Sequence, residues 1–155
     1  SHLFVLRHGP AKNGHLSEKG QGEILQLSKN IESLGKGILT AGNAIVAFSL
    51  ADRARESAHA LATSLRLSTI LKPSLGDEDG MDYFGQEARI VEDFANIARS
   101  YPCIIAVTHE PITAYLPMLL HPKVNDLQPK IINYAWARYF DPDGKVTTIT
   151  PDRIL

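Results

Sequence analysis

At 155 residues, with 44% hydrophobic side chains, the chain suits a single domain with a sizeable core, taken here as residues 3–155. Its 16 basic and 17 acidic residues nearly cancel, which argues against a nucleic-acid binder or a protein held electrostatically on a membrane surface. One cysteine, Cys103, gives no disulfide framework, and no apolar run approaches the ~20 residues of a membrane span, so a cytoplasmic protein is expected. Ser1-His2 reads as a cloning remnant with no expected part in function.

Phe4-Val5-Leu6 stops abruptly at Arg7-His8-Gly9-Pro10 and reads as a buried strand that delivers a cation and an imidazole to a sheet edge. Pro10 to Leu16 reads as a polar, glycine-containing loop. Ser17 is placed to cap a helix whose apolar positions Ile24, Leu25, Leu27, Ile31 and Leu34 recur at helical spacing up to Gly35. Gly20 and Gly22 weaken its first turn by about 1 kcal/mol each relative to alanine, a use that fits backbone passing close to a neighbour.

Ala44 to Phe48 is a second strand. Asp52 then starts a helix with Ala54, Ala58, Leu61, Ala62 and Leu65 on its buried stripe, which puts Arg53 in the first turn. A short strand near Thr69 to Leu71 leads into an irregular acidic loop from Lys72 to Tyr83, and a helix from about Phe84 to Arg99 follows. Cys103 to Thr108 is the most apolar strand and ends at His109. Glu110-Pro111 then opens a helix to about Leu120, which Pro117 should kink or shorten. Lys130 to Phe140 reads as an aromatic-rich strand, Asp141 to Gly144 as a turn and Val146 to Thr150 as the return strand. Such a hairpin cannot be a βαβ unit, so the fold class is α/β, mainly parallel, with an antiparallel C-terminal hairpin.

Three buried strands thus each hand basic groups to their carboxyl ends, the edge at which open α/β sheets bind ligands. Arg7 and Arg53 are permanently charged forks suited to phosphoryl oxygens. An imidazole with a free ring nitrogen can attack phosphorus, and His8, mounted between Arg7 and Gly9, is the better placed nucleophile. Gly9 leaves room for phosphate near the backbone, and His109 would donate a hydrogen bond to the transferring group. His15, His59 and His121 lack ligand spacing, so neither metal nor other cofactor is expected. Tyr134, Trp136 and Tyr139 are expected to pack the sheet rather than bind a partner.

Leu6-Arg7-His8-Gly9, Leu16-Ser17-Glu18-Lys19-Gly20, Ser49 with Arg53-Ala54 and Ser57-Ala58, and Val107-Thr108-His109 together resemble the histidine phosphatase superfamily, the phosphoglycerate mutase-like proteins. The short length, Pro10-Ala11, and His109-Glu110-Pro111 leading into Tyr115-Leu116 are similar to its small bacterial SixA-type phosphohistidine phosphatases. The resemblance implies a three-layer α/β/α sandwich, a phosphohistidine intermediate on His8, a phosphate pocket of Arg7, Arg53 and His109, and no metal.

The chain departs from that pattern in three places. Phe48-Ser49-Leu50-Ala51 stands where Ser-Ser-Pro-Leu is usual, and Ala11 stands where the mutase branch carries Ser or Thr, so mutase activity is not expected. Ser74 falls nearest the position of the acidic proton donor, which leaves Asp77, Glu78, Asp79 or Glu110 as substitutes. An imidazole leaves phosphorus with less acid help than an alkoxide, so a weak acid fits phosphohistidine on a signalling or phosphotransfer protein better than an alcohol phosphate. The alternatives are a small-molecule phosphomonoesterase and a non-catalytic phosphoprotein-binding module.

Overall fold

The computed structural model describes residues 2–76, 83–110, 112–121, 123–124 and 132–155, with the backbone alone over 83–86. Successive side chains of a strand point to opposite faces, and in β1 (His2–Arg7) both faces are apolar: Phe4 and Leu6 on one, Leu3 and Val5 on the other. β4 (Ala44–Phe48) and β6 (Cys103–Thr108) are likewise buried along their whole length. Strands of that kind need cover on both sides. The helices α1 (Glu18–Leu34) and α2 (Asp52–Leu65) supply it on the Phe4 face, and α3 (Tyr83–Ala98) and α4 (Ile112–Leu120) on the Leu3 face.

The six-stranded sheet runs β5-β4-β6-β1-β7-β8, with β5 at Ser68–Leu71, β7 at Ala137–Phe140 and β8 at Val146–Ile149. β5, β4, β6 and β1 are parallel; β7 is antiparallel to both β1 and β8. The expected sandwich, parallel core and antiparallel hairpin are therefore all present. The parallel order also sets Arg7 and Thr108 side by side in register, so the residues that follow them, His8 and His109, leave the same sheet edge together. Burial pushes the Cys103 thiol up to about 12, so it packs as a small hydrophobe. Among the described residues no helix is long and apolar enough to cross a membrane.

The cap of α1 ties that helix to the site. Ser17 Oγ accepts from Gly20 N–H (3.0 Å) and donates to the carbonyl of Pro10 (2.9 Å), which also accepts from Ser17 N–H (2.9 Å). A Cβ on Gly20 would overlap that same carbonyl oxygen, a backbone atom with no room to move aside. Gly20→Ala should therefore destabilise the protein by about 1–3 kcal/mol even though alanine is the better helix former. Urea unfolding measures this; an unchanged or raised midpoint would refute the close approach.

Three segments differ from their sequence reading. Pro10 to Leu16 is no plain loop: β2 (Ala11–Lys12) and β3 (His15–Leu16) pair antiparallel around Asn13-Gly14, whose φ values of 54° and 81° are those of a tight hairpin turn. Two-residue strands are too short to show periodicity. The loop after β5 begins with a 3-10 turn, Pro73–Leu75, and helix α3 already starts at Tyr83; Asp77, Glu78 and Asp79 lie outside the described residues. The aromatic strand is confined to Ala137–Phe140. Before it the chain turns through Ala135 (φ 57°), whose N–H bonds both the Arg7 and His8 carbonyls (3.2 Å each). Lys130 lies outside the described residues, while Pro117 stands inside a helix of only nine residues, as its ring predicts.

Candidate active site

A backbone carbonyl only accepts hydrogen bonds, so the 2.8 Å contact between His8 Nδ1 and its neighbour Gly9 O places the ring proton on Nδ1. The lone pair is then on Nε2, and it accepts from Arg53 Nε–H at 3.1 Å. Arg53 reaches it from the first turn of α2, as its sequence position predicts. Ser57, one turn further on, accepts from Gly9 N–H (3.0 Å) and donates to the Arg53 carbonyl (2.7 Å). His109 follows β6, its ring centroid 5.1 Å from that of His8. Its Nε2 bonds Ser49 Oγ (2.7 Å), while its Nδ1 is buried with no partner among the described residues.

Arg7 completes the group. Its Nη1 donates to Glu110 Oε1 and to the carbonyl of Ile132, both at 3.1 Å, and its guanidinium lies 3.8 Å over the Tyr134 ring. Arg7 Nε is buried with no hydrogen-bond partner among the described residues. Anchoring through Nη1 thus leaves other donors of the fork for an anion. Arg7, His8, Arg53, His109, Glu110 and Tyr134 line one open cleft of about 460 Å³, with Pro10, Ala11 and Gly14 at its rim. The rim hairpin is held from α2 by His15, which meets Glu56 at 2.9 Å and Asp52 at 3.8 Å.

Burial and the two guanidinium groups act together on the histidines. His8 is lowered to about 4, chiefly by burial and then by Arg53 and Arg7, against which the Gly9 hydrogen bond works. His109 is lowered to about 3 by burial, then by His8 and the same arginines. Both rings are therefore neutral near pH 7, so His8 Nε2 carries no proton and its lone pair, hydrogen-bonded to Arg53, can be turned on an electrophile.

The four basic residues singled out in the sequence, Arg7, His8, Arg53 and His109, all meet in this cleft. Gly9 takes a different place from the one expected. Its N–H is engaged by Ser57, a Cβ there would meet Leu16, Gly20 and Ile24 of the α1 side, and it does not line the cleft. Ser74 is buried and donates to Asp93 (2.6 Å), away from the cleft-lining side chains. Tyr139 packs on Phe4 as expected, but Tyr134 stands in the cleft, 5.4 Å from His8. Nothing local in the sequence marks Tyr134, because the turn that carries it is fixed by distant backbone bonds. Glu110, the residue after His109, was more readable. Among the described residues it is the one acidic side chain lining the cleft.

No family model matches the sequence, and no curated protein matches it. Solved structures do. The protein histidine phosphatase SixA complexed with tungstate aligns over 98% of each chain at 19% identity, with a TM-score of 0.70. A mycobacterial glucosyl-3-phosphoglycerate phosphatase with inorganic phosphate covers 99% of this chain and 94% of its own at 16% identity and a TM-score of 0.64. A phosphoglycerate mutase from Plasmodium falciparum covers 95% and 87% at 14% identity and a TM-score of 0.56. At these identities the likeness speaks for the fold: the chain is folded as the SixA phosphatases and phosphoglycerate mutases are.

Proposed function

We propose that the protein is a metal-independent phosphatase that passes a phosphoryl group through His8 and takes it from phosphohistidine on a signalling or phosphotransfer protein. The observation that carries the reading is the His8 ring. Its proton is held at Nδ1 by Gly9, and its Nε2 lone pair faces a cleft that contains two guanidinium groups and a second imidazole. Arg53, already on Nε2, and Arg7 supply positive charge for the phosphoryl oxygens, and His109 lines the same cleft.

In the first step Nε2 forms a bond to phosphorus as the bond to the leaving group breaks. In the second, water adds to phosphorus and the electron pair returns to Nε2, so that both water protons depart with inorganic phosphate. The fold likeness to a protein histidine phosphatase and to a sugar-phosphate phosphatase supports phosphatase chemistry in general. The preference for phosphohistidine rests on the cleft: its one described carboxylate is bound to Arg7, an arrangement suited to a leaving group that requires little acid help. The buried thiol Cys103 is compatible with a cytoplasmic setting.

The test compares hydrolysis of a phosphohistidine-carrying protein with that of a panel of sugar phosphates. A kcat/KM for phosphohistidine at least ~100-fold above every sugar phosphate is expected, a span that differential transition-state contacts readily supply. Faster turnover of one sugar phosphate would instead establish a small-molecule phosphomonoesterase, and binding without any turnover a phosphoprotein-binding module.

A further inference from the structure

We infer that Glu110 is a specificity-determining residue that selects a protonated nitrogen heterocycle as leaving group, by accepting a hydrogen bond from the ring N–H remote from phosphorus. The inference rests on the phosphohistidine reading and extends it to a residue which that mechanism does not use. Three observations carry it. Glu110 lines the cleft, and its side chain is one-third exposed, so it is available to a substrate. Its Oε1 accepts from Arg7 Nη1, which fixes the carboxylate beside the guanidinium proposed to bind phosphate. Tyr134, stacked on Arg7 and just under half exposed, adds an aromatic wall to the same end of the cleft.

The chemistry follows from the protein's own histidine. A phosphorylated imidazole leaves as a neutral ring only when its other nitrogen carries a proton. The phosphorus–nitrogen bond then breaks with its electron pair going to the leaving nitrogen, while the remote proton stays where it is. At His8 the Gly9 carbonyl accepts from exactly such a remote N–H, at Nδ1. Glu110 offers the substrate ring the same service with a full negative charge. Phosphoryl transfer between the two rings is then symmetric. Each begins or ends as a neutral imidazole with one N–H, and no proton has to reach the leaving atom. A phenol or sugar leaving group has no such N–H, and for it the carboxylate only repels the departing oxygen.

Glu110→Gln separates this from a role in merely holding Arg7. The readout is the ratio of kcat/KM for a phosphohistidine peptide to kcat/KM for p-nitrophenyl phosphate, measured for parent and variant side by side with their thermal melts. Loss of a charged hydrogen-bond acceptor should lower that ratio about tenfold or more, whatever happens to the phenyl ester itself. An unchanged ratio, with both substrates slowed alike, would mean that Glu110 acts only by positioning Arg7 and would overturn the inference. If the parent enzyme hydrolyses p-nitrophenyl phosphate but not the peptide, the phosphohistidine reading fails, and this inference with it. A variant that melts like the parent but shows a raised ratio would likewise overturn it. Glu110→Asp, which keeps the charge, should recover part of the ratio if the substrate N–H is what the carboxylate meets.

Discussion

His8→Ala should reduce turnover of any phosphorylated substrate by at least ~10³-fold, the scale on which removal of a covalent nucleophile is felt. In the proposed mechanism the loss comes from the atom that forms the new bond. Nε2 carries the lone pair because Gly9 holds the proton on the opposite nitrogen, and among the described residues lining the cleft no other side chain has a ring nitrogen fixed by a backbone carbonyl in that way. Inorganic phosphate should still bind the variant, since Arg53 loses only its contact to Nε2 and Arg7 keeps its anchors on Glu110 and Ile132. The pairing of lost turnover with retained phosphate binding is checked by steady-state kinetics and calorimetry. Brief exposure of the parent enzyme to labelled substrate should also trap a phosphoenzyme that is acid-labile and stable to base, absent from the variant. Near-normal turnover by His8→Ala would place the nucleophile elsewhere.

The second large effect is on stability in mild acid. Both histidines titrate lower in the folded protein than the ordinary value of 6.5, His8 at about 4 and His109 at about 3, so between those values the unfolded chain binds more protons. Stability is therefore complete above about pH 6.5, falls as the pH drops through 5, and levels off only below about 3. The displacement of His8 alone is on the order of 3 kcal/mol, and the two rings are coupled because each opposes the charging of the other. Urea midpoints at pH 7 and pH 4.5 should thus fall much further apart in the parent than in a variant in which both His8 and His109 are replaced by glutamine. Equal pH dependence in the two proteins would show that the rings are not held neutral by burial and the arginines.

Much of this architecture was legible in the chain. β1, β4 and β6 are apolar on both faces, and no soluble arrangement other than a covered central sheet accommodates three such runs. The same logic exposed the site, because each run ends where a basic residue begins. Ser17 could be recognised as a cap and Gly20 as a close approach, since both signals are local, but Gly22, read in the same way, has open space where a Cβ would stand. What stayed hidden depends on contacts between distant segments. The hairpin around Asn13-Gly14 has strands of two residues, and it is held by His15 against Glu56 on another element. Tyr134 looked like strand material because aromatic residues favour sheets. Its place in the cleft instead follows from Ala135, whose amide bonds back to Arg7 and His8. In the sequence Gly9 reads as a gap beside the phosphate, yet a Cβ there would meet Leu16, Gly20 and Ile24. The family pattern points to a proton donor after β5, where this chain has Ser74, which donates to Asp93.

The Ser57 hydroxyl joins the amide of Gly9 to the carbonyl of Arg53, and so welds the loop bearing one reactive group to the helix bearing the other. The spacing between imidazole and guanidinium is consequently a property of main-chain scaffolding and does not depend on an arriving guest to draw the pieces together. Such a site expends little reorganisation at the moment of reaction. Selectivity must then be exercised mainly at the perimeter, by the short hairpin, Tyr134 and Glu110, where neighbouring surfaces of a visiting molecule first make contact.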